Sequence, residues 1–94
     1  MTPEARVEAI RAALEAAFAP AAVDVVDDSH RHAGHAGARD GRGHFNVSVV
    51  SDRFGGMLPL ARHRAVYASL GELMTTDIHA LSIEARTWAE AGRR

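Results

Sequence analysis

The stretch LPLARHRAVYASLGELM, residues 58–74, decides how the rest of this chain is arranged. Its apolar residues recur every three or four positions, which is the spacing of one face of an α-helix. Pro59 suits the first turn of a helix, where its missing N–H leaves no hydrogen bond unmade. At about 100° per residue, His63 points to the middle of the apolar face. The pattern predicts a helix over 58–74 whose buried face consists of Leu60, His63, Val66, Tyr67, Leu70, Leu73 and Met74.

Three segments outside this helix are typical of β-strands. Residues 44–50 alternate between apolar and polar types, and residues 23–27 are short and rich in valine. A third strand is predicted over 78–85, where His79, Leu81 and Ile83 share one face. Between the first two strands, the segment SHRHAGHAGARDGRG at 29–43 contains four glycines and three histidines, so we expect a long loop that is functional or mobile rather than a mere connector.

A second helix is predicted near the start of the chain. Thr2 and Pro3 are typical of a helix N-terminus, and apolar residues then recur at helical spacing, so this helix is placed over 3–18. The tail over 87–94 has room for one more short helix. The order is α-β-β-α-β, with or without that terminal α. It predicts one α+β domain over 1–94, with a three-stranded mixed sheet, the third strand parallel to the second and the helices packed on one face.

Composition narrows the classes of function. The 94 residues carry a formal net charge of −1 and no lysine, which argues against a nucleic-acid binder held by excess charge alone. There is no cysteine, which excludes disulfides, thiol catalysis and an iron–sulfur site built by this chain alone. A metal must therefore be held by His, Asp or Glu, or shared with a partner that supplies thiolates. No segment is apolar enough for a signal peptide or a membrane span, so we expect a soluble cytoplasmic protein.

The histidines are the clearest candidates for chemistry, and each also has a structural explanation. His30, His32 and His35 form an H-x-H-x-x-H pattern, which can bind a transition metal or simply be solvated. His79 near the start of a strand is either a ligand or a histidine at the boundary of the core. His63 on the apolar helix face is expected to be structural, and His44 to cap the end of the loop.

Several motifs, in this order, resemble the BolA family over about residues 7–87. They are SHRHAGHAG at 29–37, HF at 44–45, VSDRF at 50–54 with Gly56, RHR at 62–64 with VY at 66–67, and IHAL at 78–81. The resemblance implies a fold similar to the class II KH domain, which agrees with the order of elements above.

This resemblance implies a partner and a shared cofactor. BolA-like proteins associate with monothiol glutaredoxins and share a [2Fe-2S] cluster, to which the glutaredoxin and glutathione contribute thiolates and the BolA side contributes histidine. His79 matches the histidine of the family's last-strand motif. His32 matches the loop position, with His30 and His35 as alternatives. The isolated chain is then expected to hold no cofactor and to be a monomer or a weak homodimer.

Two other classes of function have less support in the sequence. The KH-like fold and the arginines Arg53, Arg62 and Arg64 allow a DNA-binding transcriptional regulator, although Gly34-His35-Ala36-Gly37 matches the KH G-x-x-G pattern in the wrong context, between two strands. An enzyme is not expected, because the sequence shows no nucleophile with a base and no phosphate- or dinucleotide-binding motif.

Overall fold

The computed structural model describes residues 1–29 and 41–93. Its elements are α1 (Pro3–Phe18), β1 (Ala22–Asp27), β2 (Gly43–Val50), a 3-10 turn (Asp52–Phe54), α2 (Pro59–Leu70), α3 (Leu73–Thr76) and β3 (Ile78–Arg86). The predicted α+β order is confirmed, with α3 as an addition. None of the described helices is both long and apolar enough to cross a membrane.

The three strands form one mixed sheet in the order β1-β2-β3. β1 and β2 are antiparallel, with Ala22 opposite Val50 and Asp27 opposite Phe45. β3 is parallel to β2, as predicted. Because β2 and β3 run in the same direction and β1 runs opposite to them, β2 and β3 begin at the end of the sheet where β1 finishes.

Both long helices pack on the same face of the sheet, as predicted. Alternate residues of β2 lie in the core, whereas the residues between them are half-buried or exposed on the open face. This alternation is what a strand with one covered face requires. The buried apolar cluster consists of Ile10, Leu14, Phe18, Phe45, Val47, Val49, Phe54, Val66, Leu70 and Ile78.

Polar contacts fix the two ends of α1. Thr2 is the N-cap, and its Oγ1 accepts a hydrogen bond from Ala5 N at 3.1 Å. At the other end, the buried hydroxyl of Ser51 donates to Phe18 O at 2.6 Å and accepts from Arg53 N at 3.1 Å. One serine thus caps the 3-10 turn and joins it to the end of α1.

The prediction of one continuous helix over 58–74 is wrong. α2 ends at Leu70, because Gly71 adopts φ 54° and ψ −127°, a conformation that favours glycine. The chain then turns into α3, which packs Leu73 and Met74 against the core. The apolar spacing continues past Gly71 because the separate short helix buries the same side of the chain.

The predicted buried face of α2 is also partly wrong. Leu60 is 61% exposed and Tyr67 is 41% exposed, whereas Val66 and Leu70 are buried. His63 is half-buried, so it lies at the edge of the covered face rather than at its centre. The helix is turned so that Arg62, one turn before Val66, faces the protein. The Arg62 side chain is only 13% exposed.

Within the described residues of the tail, 87–93, the structure has a hydrogen-bonded turn over residues 88–92 in place of the predicted helix. Thr87 and Glu90 exchange two reciprocal hydrogen bonds, as in a capping box. Thr87 N donates to Glu90 Oε1 at 2.8 Å, and Glu90 N donates to Thr87 Oγ1 at 3.2 Å. Ala91 N then bonds Thr87 O at 3.0 Å, so a helical turn begins and is not continued.

Candidate metal centre

An irregularity at the start of β3 decides where His79 lies. Successive pairs of the ladder are Gly43 with Ile78 and His44 with Ala80, so His79 is an extra residue on its strand. Ile78 is buried, whereas His79 is exposed. The prediction that His79 shares a face with the later apolar residues of this strand is therefore wrong, because the extra residue shifts the alternation. The imidazole is presented at the end of the sheet.

His44 lies beside His79, a neighbour that the sequence pattern does not predict. The centroids of the two rings are 5.2 Å apart and their planes are inclined at 56°. From sequence, His44 is expected only to cap the loop. The parallel pairing of β2 with β3 brings the two histidines together, because it places the first residues of both strands side by side. His44 also lines a shallow cavity of about 230 Å³ on the open face of the sheet, with Asp28, Phe45, Asn46, Ala80 and Ser82.

Backbone hydrogen bonds hold the two strand starts in place. His44 N donates to Ser29 Oγ at 3.0 Å, and Asp28 N donates to His44 O at 2.8 Å. Gly43 N donates to Asp77 O at 2.9 Å. A side chain at Gly43 would come within 2.7 Å of Ser29 Oγ, so this close packing requires glycine. The two histidines therefore project from strand starts that are held by hydrogen bonds and close packing.

Asp77 anchors the start of β3 to the first helix. Its carboxylate accepts hydrogen bonds from Thr76 Oγ1 at 2.7 Å and from Arg6 Nε at 2.9 Å. These two bonds, the Thr76 contribution being the larger, lower the pKa of Asp77. The residue is buried, and it immediately precedes the strand that carries His79. α1 is thereby tied to the end of the sheet where the two histidines meet.

Arg42 reaches the His79 ring from the start of β2. Its Nη2 lies 3.3 Å from His79 Nδ1, and its Nη1 donates to Thr75 O at 3.5 Å. The guanidinium group therefore bridges the end of α3 and the candidate ligand.

The predicted loop ligands are not among the residues that the structure describes. His30, His32 and His35, like most of the loop predicted over 29–43, lie outside the described ranges. The chain enters that segment directly after Ser29, whose side chain is bonded to His44 N.

The side chains at this end of the sheet fit a shared cluster better than a self-contained metal site. The chain has no cysteine, and the described residues contain no group of three or more His, Cys, Asp or Glu side chains able to hold a metal. A [2Fe-2S] cluster takes four ligands besides its own sulfides, and histidine replaces cysteine on one iron in some of these centres. An exposed imidazole at the end of a sheet can complete such a set when a partner supplies the thiolates.

The three arginines of the predicted basic surface do not act together. Arg62 donates to Met57 O at 2.9 Å, to Ala85 O at 3.1 Å and to both carboxylate oxygens of Glu90, the shorter at 2.6 Å. The Arg62 hydrogen bond, followed by the one from Thr87 N, lowers the pKa of Glu90 to about 2. The predicted contact of Arg62 with nucleic acid stays a prediction, and in this structure its guanidinium is engaged within the fold.

The other two arginines are exposed. Arg53 Nε bonds Ala19 O at 3.3 Å, and Arg64 lies on the exposed side of α2. These two remain on the surface as candidates for contact with a phosphate backbone.

Comparison with known families identifies the fold. Residues 14–90 match the family described as BolA-like protein. The chain belongs to the BolA family. The family match covers α2, β3 and His79, and it begins within α1 and ends in the C-terminal turn.

Named relatives of this BolA-family chain differ in length. BolA-like protein 1 of Mus musculus is 46% identical over 82 residues, which are 87% of this chain and 58% of the mouse protein. The chain therefore spans less than two thirds of that relative. The DNA-binding transcriptional regulator BolA of Escherichia coli K12 is 45% identical over 83 residues, 88% of this chain and 76% of that protein. Among solved structures, the BolA domain of SufE1 from Arabidopsis thaliana has a TM-score of 0.79 and 41% identity, covering 90% of this chain and 94% of that one.

Proposed function

We propose that this chain is a non-enzymatic partner of a monothiol glutaredoxin and that the two proteins, with glutathione, share a [2Fe-2S] cluster. His79 is the cluster ligand on the described part of the chain. His32 is the loop ligand, with His30 and His35 as alternatives. The pair would act in the maturation or trafficking of iron–sulfur clusters or in iron-dependent regulation.

The observation that carries the proposal is the exposed position of His79 at the end of the sheet. The extra residue at the start of β3 turns this imidazole away from the core, and Ile78 fills the buried position instead. A histidine with only a packing role would be expected to be buried in the core. A histidine that binds a group held by another protein has to be exposed.

The absence of cysteine supports sharing rather than autonomous binding. Thiolates are the usual ligands of iron–sulfur clusters, and this chain has none to offer. A partner that contributes thiolates and a chain that contributes imidazole have complementary ligands. The same division predicts that the purified chain alone retains no cluster.

The experiment is a titration of cluster-loaded monothiol glutaredoxin with the purified chain, followed by visible circular dichroism. The proposal predicts a saturable spectral change with the wild type. Single His30→Ala, His32→Ala and His35→Ala variants identify the loop ligand as the one whose spectrum departs from wild type. His63→Ala is the matched control, because His63 lies on α2 and is only half-buried. If the wild type causes no spectral change at any ratio, the proposal is wrong.

The second candidate function is that of a DNA-binding transcriptional regulator. It is supported by the name of the Escherichia coli relative and by the exposure of Arg53 and Arg64. Phosphate contacts make binding weaken as salt is raised, and removing one charged side chain from a phosphate reduces the slope by about one. A double Arg53→Gln, Arg64→Gln variant should therefore bind duplex DNA less tightly and with a shallower salt dependence. Equal binding by this variant and the wild type would exclude this surface.

A further inference from the structure

The contact between Arg42 and His79 has chemical consequences for ligation. A guanidinium group carries only N–H donors and has no acceptor. His79 Nδ1, 3.3 Å from Arg42 Nη2, must therefore be the acceptor, and its lone pair is engaged by the arginine. In the neutral imidazole the ring proton is then on Nε2. Neither nitrogen of the ring has a lone pair available for a metal in this arrangement.

We propose that Arg42 holds His79 in a form that cannot bind a metal and that Arg42 must withdraw from the ring before His79 becomes a ligand. This inference rests on the proposed function and describes how binding of the cluster by His79 is regulated. If Nδ1 is to bind, the arginine occupies the required direction. If Nε2 is to bind, its proton must move to Nδ1, and that nitrogen can carry a proton only after the arginine has left. Both routes require the same displacement.

The surroundings of the ring favour displacement of the arginine over rotation of the histidine. The His44 ring lies 5.2 Å from the His79 ring on the same end of the sheet, which limits the directions in which His79 can turn. Two of the hydrogen bonds of Arg42 are long, 3.3 Å from Nη2 to His79 Nδ1 and 3.5 Å from Nη1 to Thr75 O. Both distances are longer than the usual range of about 2.7–3.2 Å for an N–H donor, so both contacts are weak. A docking partner that takes over these two contacts can therefore withdraw Arg42 from the His79 ring, which the guanidinium covers in the free chain.

Chemical modification tests this contact without any partner. Diethyl pyrocarbonate attacks the unprotonated nitrogen of a neutral imidazole, and peptide mapping by mass spectrometry reports the rate for each histidine. At about pH 8, well above the ordinary pKa of imidazole, Arg42→Met should raise the modification rate of His79 about 2- to 10-fold. Methionine keeps the length of the side chain and removes the donors. Arg93→Met makes the same change of charge at an exposed residue just after the C-terminal turn, and it should leave the His79 rate unchanged.

The His44 rate in the same samples distinguishes a released ligand from a loosened structure. The proposal predicts that Arg42→Met accelerates His79 and leaves His44 at its wild-type rate. An unchanged His79 rate overturns the proposal. A rise shared equally by both histidines also overturns it, because that result reports loosening of the whole sheet end. Arg42→Ala, measured in the same way, guards against an effect specific to the introduced methionine.

A binding experiment separates this inference from the proposed function. Arg42→Met should bind cluster-loaded monothiol glutaredoxin about 2- to 10-fold more tightly than the wild type and bind the cluster-free partner equally well. Weaker binding of the loaded partner overturns the inference, since Arg42 would then be a contact rather than an obstacle. If neither chain binds loaded glutaredoxin while the His79 modification rates differ as predicted, the proposed function fails and the contact between Arg42 and His79 stands.

Discussion

At the residue scale, Arg62 joins three parts of the chain through one guanidinium group. It binds Met57 O before α2, Ala85 O near the end of β3 and the carboxylate of Glu90 in the C-terminal turn. The hydrogen bond to Glu90 raises the pKa of Arg62, so the positive charge is retained. Two of its partners are backbone carbonyls, which would be left without this donor if the side chain were removed.

Replacing Arg62 should destabilise the fold, whereas replacing Arg64 should not. Arg62→Met leaves carbonyl and carboxylate groups without their donor and should lower the free energy of unfolding by about 1–3 kcal/mol. Arg64→Met, on the exposed side of the same helix, should change it by less than about 0.5 kcal/mol. Urea denaturation of the two variants measures the difference. Equal stability of both would contradict the internal role of Arg62.

The contact between Glu90 and Arg62 should make stability depend on pH in a defined window. The pKa of Glu90 is about 2 in the folded chain, below its ordinary value of 4.5. Because the folded state binds this proton less readily than the unfolded state, the stabilisation is fully present above about pH 4.5. It is lost as the pH falls toward about 2. Urea denaturation of wild type and Glu90→Gln across this range should show a difference in stability that shrinks as the pH is lowered. A difference independent of pH would rule out the ion pair as its cause.

At the element scale, the strands can be predicted from sequence more completely than α2. Alternation in residues 44–50 depends on neighbours within one strand, so the pattern is local and its prediction is confirmed. The orientation of α2 depends on Arg62, because a charged residue that finds internal partners can take a place in the covered face. Periodicity counts only apolar residues, and it therefore places Leu60 and Tyr67 inside. Gly71 ends the helix through a backbone conformation that spacing does not reveal.

Two substitutions on α2 test its orientation. Val66→Ala removes buried methyl groups from the core and should lower the free energy of unfolding by about 1–3 kcal/mol. Leu60→Ala removes more apolar volume from a side chain that is 61% exposed, and it should cost less than about 0.5 kcal/mol. Thermal or urea denaturation reports both values. A larger loss from Leu60→Ala than from Val66→Ala would support the face predicted from sequence instead.

At the scale of the whole molecule, topology creates the candidate site. The parallel pairing of β2 with β3 brings the first residues of two strands together, although His44 and His79 are far apart in the chain. His79 can be proposed from sequence because it lies in a motif that resembles the family's last strand. His44 cannot, because its place beside His79 depends on how the strands pair. A motif names one residue, whereas its neighbour depends on the register between strands. The extra residue in β3 belongs to that register too, so the exposed position of His79 is beyond any pattern within one strand.

The central claim, that His79 binds the shared cluster, is tested most directly by magnetic coupling between the cluster and a nitrogen of this chain. The chain is labelled with ¹⁵N-histidine and mixed with unlabelled cluster-loaded monothiol glutaredoxin, and the cluster is reduced to its paramagnetic state. Pulsed electron paramagnetic resonance then detects ¹⁵N nuclei bonded to iron. The account predicts a strong ¹⁵N coupling in the wild-type complex and the loss of the His79 contribution in His79→Ala. A complex that forms without ¹⁵N coupling, or with the same coupling in His79→Ala, would contradict it.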